Sequence, residues 1–307
     1  MAEGVTKFEQ FVKFATDAYG LERLLRALQS LLQILLSTPS LHPLFLPLLF
    51  PALTAGSADY YSRQSALYVS SLQALRRKLG HMRQVFRLFR FLDSFSAAWA
   101  AWDALQATPA EGGGDGGDGS GGDFWVGAMT RVEKWADLGA KAFTGMYMLL
   151  ESAAFVDVVL AEQVAGLRVW GEERAAEMAM DGQKFWFLGL VCAAVAGYSR
   201  WKLLAWKGRE LNGDRRREGD KGRQEEKESE REMEENSKKA NKVYRRLMAD
   251  MMDLPVPGTV VGWMSLAPAK VGGFMLVSTV LTGMEVWERC GREVAAAKAT
   301  AKAGRSS

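Results

Sequence analysis

The sequence predicts an all-α fold, a membrane-associated helical bundle with a basic amphipathic helix and one or two apolar C-terminal membrane helices. Three observations carry this. Apolar residues recur every three or four positions over long stretches, the spacing that lines one face of a helix, while alternating apolar and polar runs bounded by turn residues are missing. The window Phe185–Tyr198 contains no charged residue, and Val271–Val286 is nearly as apolar. Residues 65–95 set bases on one side of a helix and large apolar side chains on the other.

Bulk composition hides this pattern. Hydrophobic residues make up 48% of the 307, an ordinary share, and 39 Lys and Arg against 36 Asp and Glu leave a net charge of only +3. The charges crowd into residues 76–90 and 207–246, so the remainder is considerably more apolar than the average. The two cysteines, Cys192 and Cys290, sit in or beside apolar runs and imply no disulfide framework, which reads as reducing surroundings. The opening residues lack the basic segment, apolar core and small-residue cleavage site of a secretory signal. The ending Arg305-Ser306-Ser307 is not a Ser-Lys-Leu address, so targeting to an organelle is expected to use an internal signal.

In chain order, a first helix is expected over residues 4–37, with Phe8, Phe11, Val12, Ala15, Tyr19, Leu25, Leu28, Leu32 and Leu35 on its apolar face and Thr38-Pro39 closing it. Prolines at 39, 43, 47 and 51 predict an apolar but irregular loop over 38–58. A second helix is expected over 59–107, completing an N-terminal helical region 1–107. The Gly-rich, acidic stretch 108–123 reads as a flexible linker. A third helix over 124–180, carrying Trp125, Val132, Trp135, Leu138 and Met146, leads to an apolar candidate membrane segment at 185–206, which closes the region 124–206. Residues 207–242 have balanced charge and few large apolar side chains, the composition of a disordered linker or a solvated helix. A short helix near 239–253 and an apolar hairpin-like stretch over 254–288 form a C-terminal membrane-associated region, 243–290, ahead of a tail, 291–307.

A bilayer-spanning helix needs about 20 mostly apolar residues. Phe185–Tyr198 reaches that length only if Arg200 and Lys202 snorkel to the interface, with Trp186, Trp201 and Trp206 as an aromatic belt. The second window contains Gly272, Gly273 and Gly283, which permit close helix contact in lipid.

The segment Ser65–Phe95 is the most informative. At about 100° per residue, Arg76, Arg83, Arg87 and Arg90 fall within an arc of roughly 60°. Leu75, Leu79, Met82, Val85, Phe86, Phe89 and Leu92 take the opposite and adjacent arc, and Arg77 and Lys78 lie near the margins. No acidic residue occurs between Asp59 and Asp93. The apolar arc suits burial about 5–10 Å into the headgroup boundary. Each base near an anionic surface contributes on the order of 1 kcal/mol. A wedge entering one leaflet expands that leaflet alone and favours curvature. The expected insertion residues are therefore Leu75, Leu79, Met82, Val85, Phe86, Phe89 and Leu92. The expected headgroup ligands are Arg76, Arg77, Lys78, Arg83, Arg87 and Arg90, and the expected partner is an anionic phospholipid membrane rather than nucleic acid. A bundle-packed helix and a helix that docks on a partner protein are the competing readings of the same pattern.

No catalytic residues and no cofactor are assigned. The two histidines, His42 and His81, stand in no metal-ligand spacing, and neither a Walker loop nor a nucleophile elbow occurs. Glu133, Asp137, Glu151 and Asp157 read as a solvated or capping face rather than an acid/base pair.

Two further stretches carry a family resemblance. Residues 11–35, FVKFATDAYGLERLLRALQSLLQIL, pair a Phe-x-Lys-Phe opening with a Leu-Leu-Gln run. Residues 245–290 run through Asp253-Leu254-Pro255 and Gly262-Trp263 to a glycine-bearing apolar helix ending at Trp287. Together with the basic helix at 65–95, this order resembles the peroxin-11 family. The resemblance implies a peroxisomal membrane protein that curves and elongates its membrane, promotes peroxisome proliferation and division, self-associates, and engages a dynamin-related GTPase and a fission adaptor. The insertions at 38–58, 110–123 and 207–242 depart from shorter relatives and would suit a fungal member. The alternatives carried forward are a helical metabolite pore and a soluble helical scaffold.

Overall fold

A computed structural model describes residues 6–42, 58–107, 121–160, 164, 166–217 and 223–303, and every regular element among them is helical. The elements are α1 (Lys7–Thr16), α2 (Ala18–Ser37), a 3-10 turn (Pro39–Leu41), α3 (Ala58–Val85), α4 (Arg90–Ala107), α5 (Gly121–Phe155) running into a π turn (Val156–Leu160), α6 (Glu172–Arg217), α7 (Arg223–Asp253), α8 (Pro255–Val261) and α9 (Pro268–Ala303). Most of the proline-rich stretch 38–58 and of the Gly-rich linker lies outside the described residues.

Several boundaries differ from expectation for local reasons. The first helix is two helices. Thr6 and Glu9 cap α1 reciprocally, Glu9 N–H donating to Thr6 Oγ1 at 3.2 Å and Thr6 N–H to Glu9 Oε2 at 3.0 Å. Asp17 then takes an extended backbone and restarts the chain as an N-cap, accepting from the N–H groups of Tyr19 and Gly20. The corner is tight, since a Cβ on Gly20 would lie 2.0 Å from the Phe14 carbonyl oxygen.

The third helix does not reach residue 180. It ends in the π turn, and Gly166 and Gly171 adopt φ of 86° in the connection. The run 185–206 lies inside the longer α6. The charged stretch 207–242 is helical where it is described, as the end of α6 and the start of α7, so the solvated-helix reading replaces the disordered linker. Exposed pairs four residues apart, Glu234–Lys238 at 2.6 Å and Glu235–Lys239 at 3.9 Å, support that helix, and the Lys238 ammonium lowers the Glu234 pKa.

The chain divides into two compact units, each assembled from separated stretches rather than from the linear series expected. The first comprises Met1–Leu88, Phe155–Val169 and Gly262–Ser307. Here α9 packs along α1 and α2 in the opposite direction. Gln33 donates to the Pro268 carbonyl at 2.9 Å near one end and Gln10 to the Trp287 carbonyl at 2.8 Å near the other. Phe14 and Trp287 meet edge to face with centroids 5.7 Å apart, and Arg289 binds Asp17 at 2.7 Å.

Small side chains let α2 and α9 approach. Ser30, Ser278 and Thr279 are buried, and each hydroxyl donates to a carbonyl of its own helix. Gly272 is closer still, because a Cβ there would lie 2.9 Å from Ile34 Cγ1 and 3.3 Å from the Ile34 nitrogen. Gly272→Val is therefore expected to destabilise the fold by about 1–3 kcal/mol through overpacking. Gly273→Ala, facing open space, should change the unfolding midpoint little. Thermal unfolding of both variants in detergent checks the contrast, and equal effects would contradict the packing described.

The second unit comprises Phe89–Ala154 and Trp170–Val261. Helix α5 runs antiparallel to both α4 and α6. Trp102 meets Trp135 at 6.0 Å while a Cβ on Gly145 would clash with Phe95. Tyr147 stacks on Trp186 at 5.2 Å, and a Cβ on Gly139 would lie 3.2 Å from Cys192 Sγ. Helix α7 returns along α6, with Asn236 donating to the Leu204 carbonyl at 2.9 Å and Tyr244 packing on Trp201 at 5.9 Å. The prolines of α8, Pro255 and Pro257, are buried, and Pro255 occupies the first helical position, where its missing N–H costs nothing.

Candidate membrane-contact surface

Helix α3 lies antiparallel on α2. Near one end Leu72 joins Leu35 in a buried cluster supported by Leu32, Leu36, Leu41 and Tyr68. Near the other, Arg83 Nη1 donates to Gln29 Oε1 at 2.6 Å and Arg83 Nη2 lies 3.6 Å from Glu22 Oε1. Leu72, Leu79 and Arg83 are thus the inward line, and on the wheel they mark the seam between the basic and apolar arcs. Two expected assignments change as a result. Leu79 faces α2 instead of outward, and Arg83 is buried on Glu22 and Gln29 instead of offered to headgroups, because the seam turns inward.

The main apolar arc stays outside. Leu75 is 48% exposed, Met82 54%, Val85 53% and Phe86 40%. Arg77 and Lys78 are exposed beside it, while Arg76, Arg87 and Arg90 are half-buried.

The basic helix is not continuous through residue 95. It ends at Val85, and residues 86–89 form turns in which Arg87 N–H donates to the Gln84 carbonyl at 3.0 Å and Leu88 N–H to Val85 at 3.3 Å. Phe89, Arg90 and Leu92 therefore do not belong to α3, and Phe89 and Leu92 are exposed. The break coincides with the change from one unit to the other.

Sequence reasoning missed Glu22, Arg26 and Gln29. Glu22 and Arg26 are buried charges on α2, and the available signal was a carboxylate and a guanidinium four residues apart, on one side of a helix rich in leucine. A buried carboxylate facing a buried guanidinium fixes which side of α3 turns inward.

Within the first unit, exposed ion pairs tie α1 to α9. Lys298 Nζ lies 2.6 Å from Glu9 Oε2 and Lys13 Nζ lies 3.3 Å from Glu293. The Lys298 ammonium, together with the capping bond from Thr6, lowers the Glu9 carboxyl to about 2. A depressed carboxyl stabilises the docked state above its unfolded pKa and loses that contribution as pH falls through the folded value. Acidification from about pH 4.5 towards 2 should therefore loosen α1 from α9. In Lys298→Ala the Glu9 titration followed by NMR should move back up, and an unmoved titration would contradict the pairing.

Three helices are long and apolar enough to cross a membrane, namely Phe124–Val159, Glu172–Gly213 and Pro268–Ala301. The first was not among the expected spans. Glu133, Asp137 and Lys141 are engaged within the second unit, where Arg200 binds Glu133 and approaches Asp137 at 3.5 Å, and Lys141 pairs with Asp137 at 2.6 Å. Tyr147 donates to Glu151 at 3.1 Å, and Asp157 accepts from the Val169 N–H at 2.9 Å in the first unit. These acids serve structural pairings. Among the described residues no group of three or more His, Cys, Asp or Glu could hold a metal ion.

Span-length apolar helices and an outward apolar arc on a basic helix define an all-α membrane-associated protein. The model of the family described as peroxisomal biogenesis factor 11 (PEX11) matches residues 128–287, more than half of the 307, and the chain belongs to that family. It is accordingly a peroxisomal membrane protein involved in peroxisome proliferation, and the family is one of biogenesis factors rather than a known enzyme family. No curated protein and no solved structure matches the chain. The matched region begins within α5, so helices α1–α4 lie outside it.

Proposed function

We propose that this protein curves and elongates the peroxisomal membrane by laying the outer face of α3 into one leaflet, and so promotes division. The observation that carries the reading is the exposed line Leu75, Met82, Val85 and Phe86, flanked by the exposed bases Arg77 and Lys78. Three large apolar side chains on one side of α3, with Phe86 just past its end, find a low-energy place at a headgroup boundary, and the bases add attraction to anionic lipid. Phe89 and Leu92, past the turn, add a second apolar contact. The span-capable helices would anchor the wedge and keep it at the surface at high local concentration. Self-association, and contact with a dynamin-related GTPase and a fission adaptor, complete the proposal by family likeness.

The test is made in living cells. Overexpression of the tagged protein should place it on peroxisomes and make them longer and more numerous. Unchanged peroxisome shape and number at high expression would sink the reading.

A further inference from the structure

Where α5 begins and the apolar run of α6 ends, the second unit has a groove of about 260 Å³. Trp125, Val126 and Met129 of α5 and Leu203 and Trp206 of α6 make its apolar walls, and Lys202 and Arg209 also line it. The two cations are seven positions apart on α6, two turns, and so share a face. Lys202 Nζ sits over the rings of Tyr198 at 5.5 Å and Trp201 at 5.7 Å, contacts that hold the ammonium beside the groove. Arg209 and Trp125 are exposed.

We propose that this groove binds one anionic phospholipid of the surrounding bilayer, an acyl segment lying against the tryptophans and the phosphate drawn to the bases that border it, Lys202 and Arg209. Charge complementarity selects the occupant, since the lining is apolar apart from two cations and includes no acid, which suits a chain with an anionic head. Position agrees. The groove lies where two span-capable helices leave their apolar stretches, with tryptophans and bases at the level where belts of both are found. Its small volume suits a chain segment rather than a whole lipid, leaving the rest of the molecule in the bilayer. This site is separate from the wedge on α3, and it rests on the reading of α5 and α6 as membrane helices.

The full chain purified in detergent is offered phosphatidylserine or phosphatidylcholine, and bound lipid is counted by native mass spectrometry. The wild type should retain phosphatidylserine in preference. Lys202→Gln with Arg209→Gln should weaken retention roughly tenfold or more, since each base near an anionic head is worth on the order of a kcal/mol. Met129→Trp, which fills the groove, should abolish it with the helix content unchanged. The adduct should persist in Phe86→Glu with Phe89→Glu. Equal retention of both lipids by the wild type, unchanged retention in the charge variant, loss only in the Phe86/Phe89 variant, or retention of oleate instead of phosphatidylserine would overturn the proposal. Release of the chain from membranes by carbonate alone would remove the membrane reading beneath it. Selective adducts without any change in peroxisome shape would leave the groove standing and the curvature reading refuted.

Discussion

Phe86→Glu combined with Phe89→Glu should lower binding to anionic liposomes by at least about 100-fold. Burying a phenylalanine side chain is worth about 1.5–3 kcal/mol. Losing two removes several kcal/mol, at about 1.4 kcal/mol for each tenfold change. The added carboxylates would also repel an anionic surface and oppose Arg77 and Lys78. Phe86 and Phe89 are 40% and 70% exposed, so the fold should tolerate the change. Cosedimentation with phosphatidylserine-containing vesicles, beside a helix-content measurement, makes the comparison. Wild-type binding by the double variant would show that the outward apolar arc of α3 and its following turn do not touch lipid.

Glu22→Ala should destabilise the first unit by about 3–5 kcal/mol, the usual consequence of removing one partner from a buried ion pair. The Glu22 and Arg83 side chains are only 4% and 8% exposed, and Arg26 is buried nearby on the same helix. Without the Glu22 carboxylate, positive charge is left inside the packing of α2 on α3. Glu22→Leu with Arg83→Met should recover much of the loss, because an apolar pair of similar volume avoids the desolvation of two ions. Chemical unfolding in detergent distinguishes these outcomes. A loss within about 0.5 kcal/mol for Glu22→Ala would mean that this pairing does not orient α3.

The helical class was legible because periodicity is a local property, and so were the apolar windows inside α6 and α9. The break at Asp17 was legible in principle, since an aspartate two residues before Tyr19 is an N-cap residue type, but the apolar spacing on either side of it runs on without interruption. The break at 86–89 had no such sign. Neither proline nor glycine occurs between Met82 and Leu92.

The inward seam of α3 was hidden for a related reason. A helical wheel separates basic from apolar arcs but does not say which line meets a neighbour, and here a buried carboxylate on α2 draws Arg83 inside. The span-length stretch in α5 was obscured by Glu133, Asp137 and Lys141, whose charges look solvated until Arg200 and the i,i+4 pairing are seen to engage them. The assembly of the first unit from separated stretches depends on contacts between residues hundreds of positions apart, such as Gln10 with Trp287, which no local pattern encodes.

The outward face of α3 gains meaning from this division of labour. Its inner line fixes the helix to α2, so the exposed arc is held in one orientation instead of being free to roll. The most direct measurement places spin labels by Met82→Cys or Phe86→Cys in the full chain, with Cys192→Ala and Cys290→Ala as background, reconstituted in phosphatidylserine-containing bilayers. The account predicts that both labels are reached by oxygen, shielded from a water-soluble nickel relaxant, and lie about 5–10 Å below the phosphates. Labels as accessible to nickel as those on a soluble helix would contradict it.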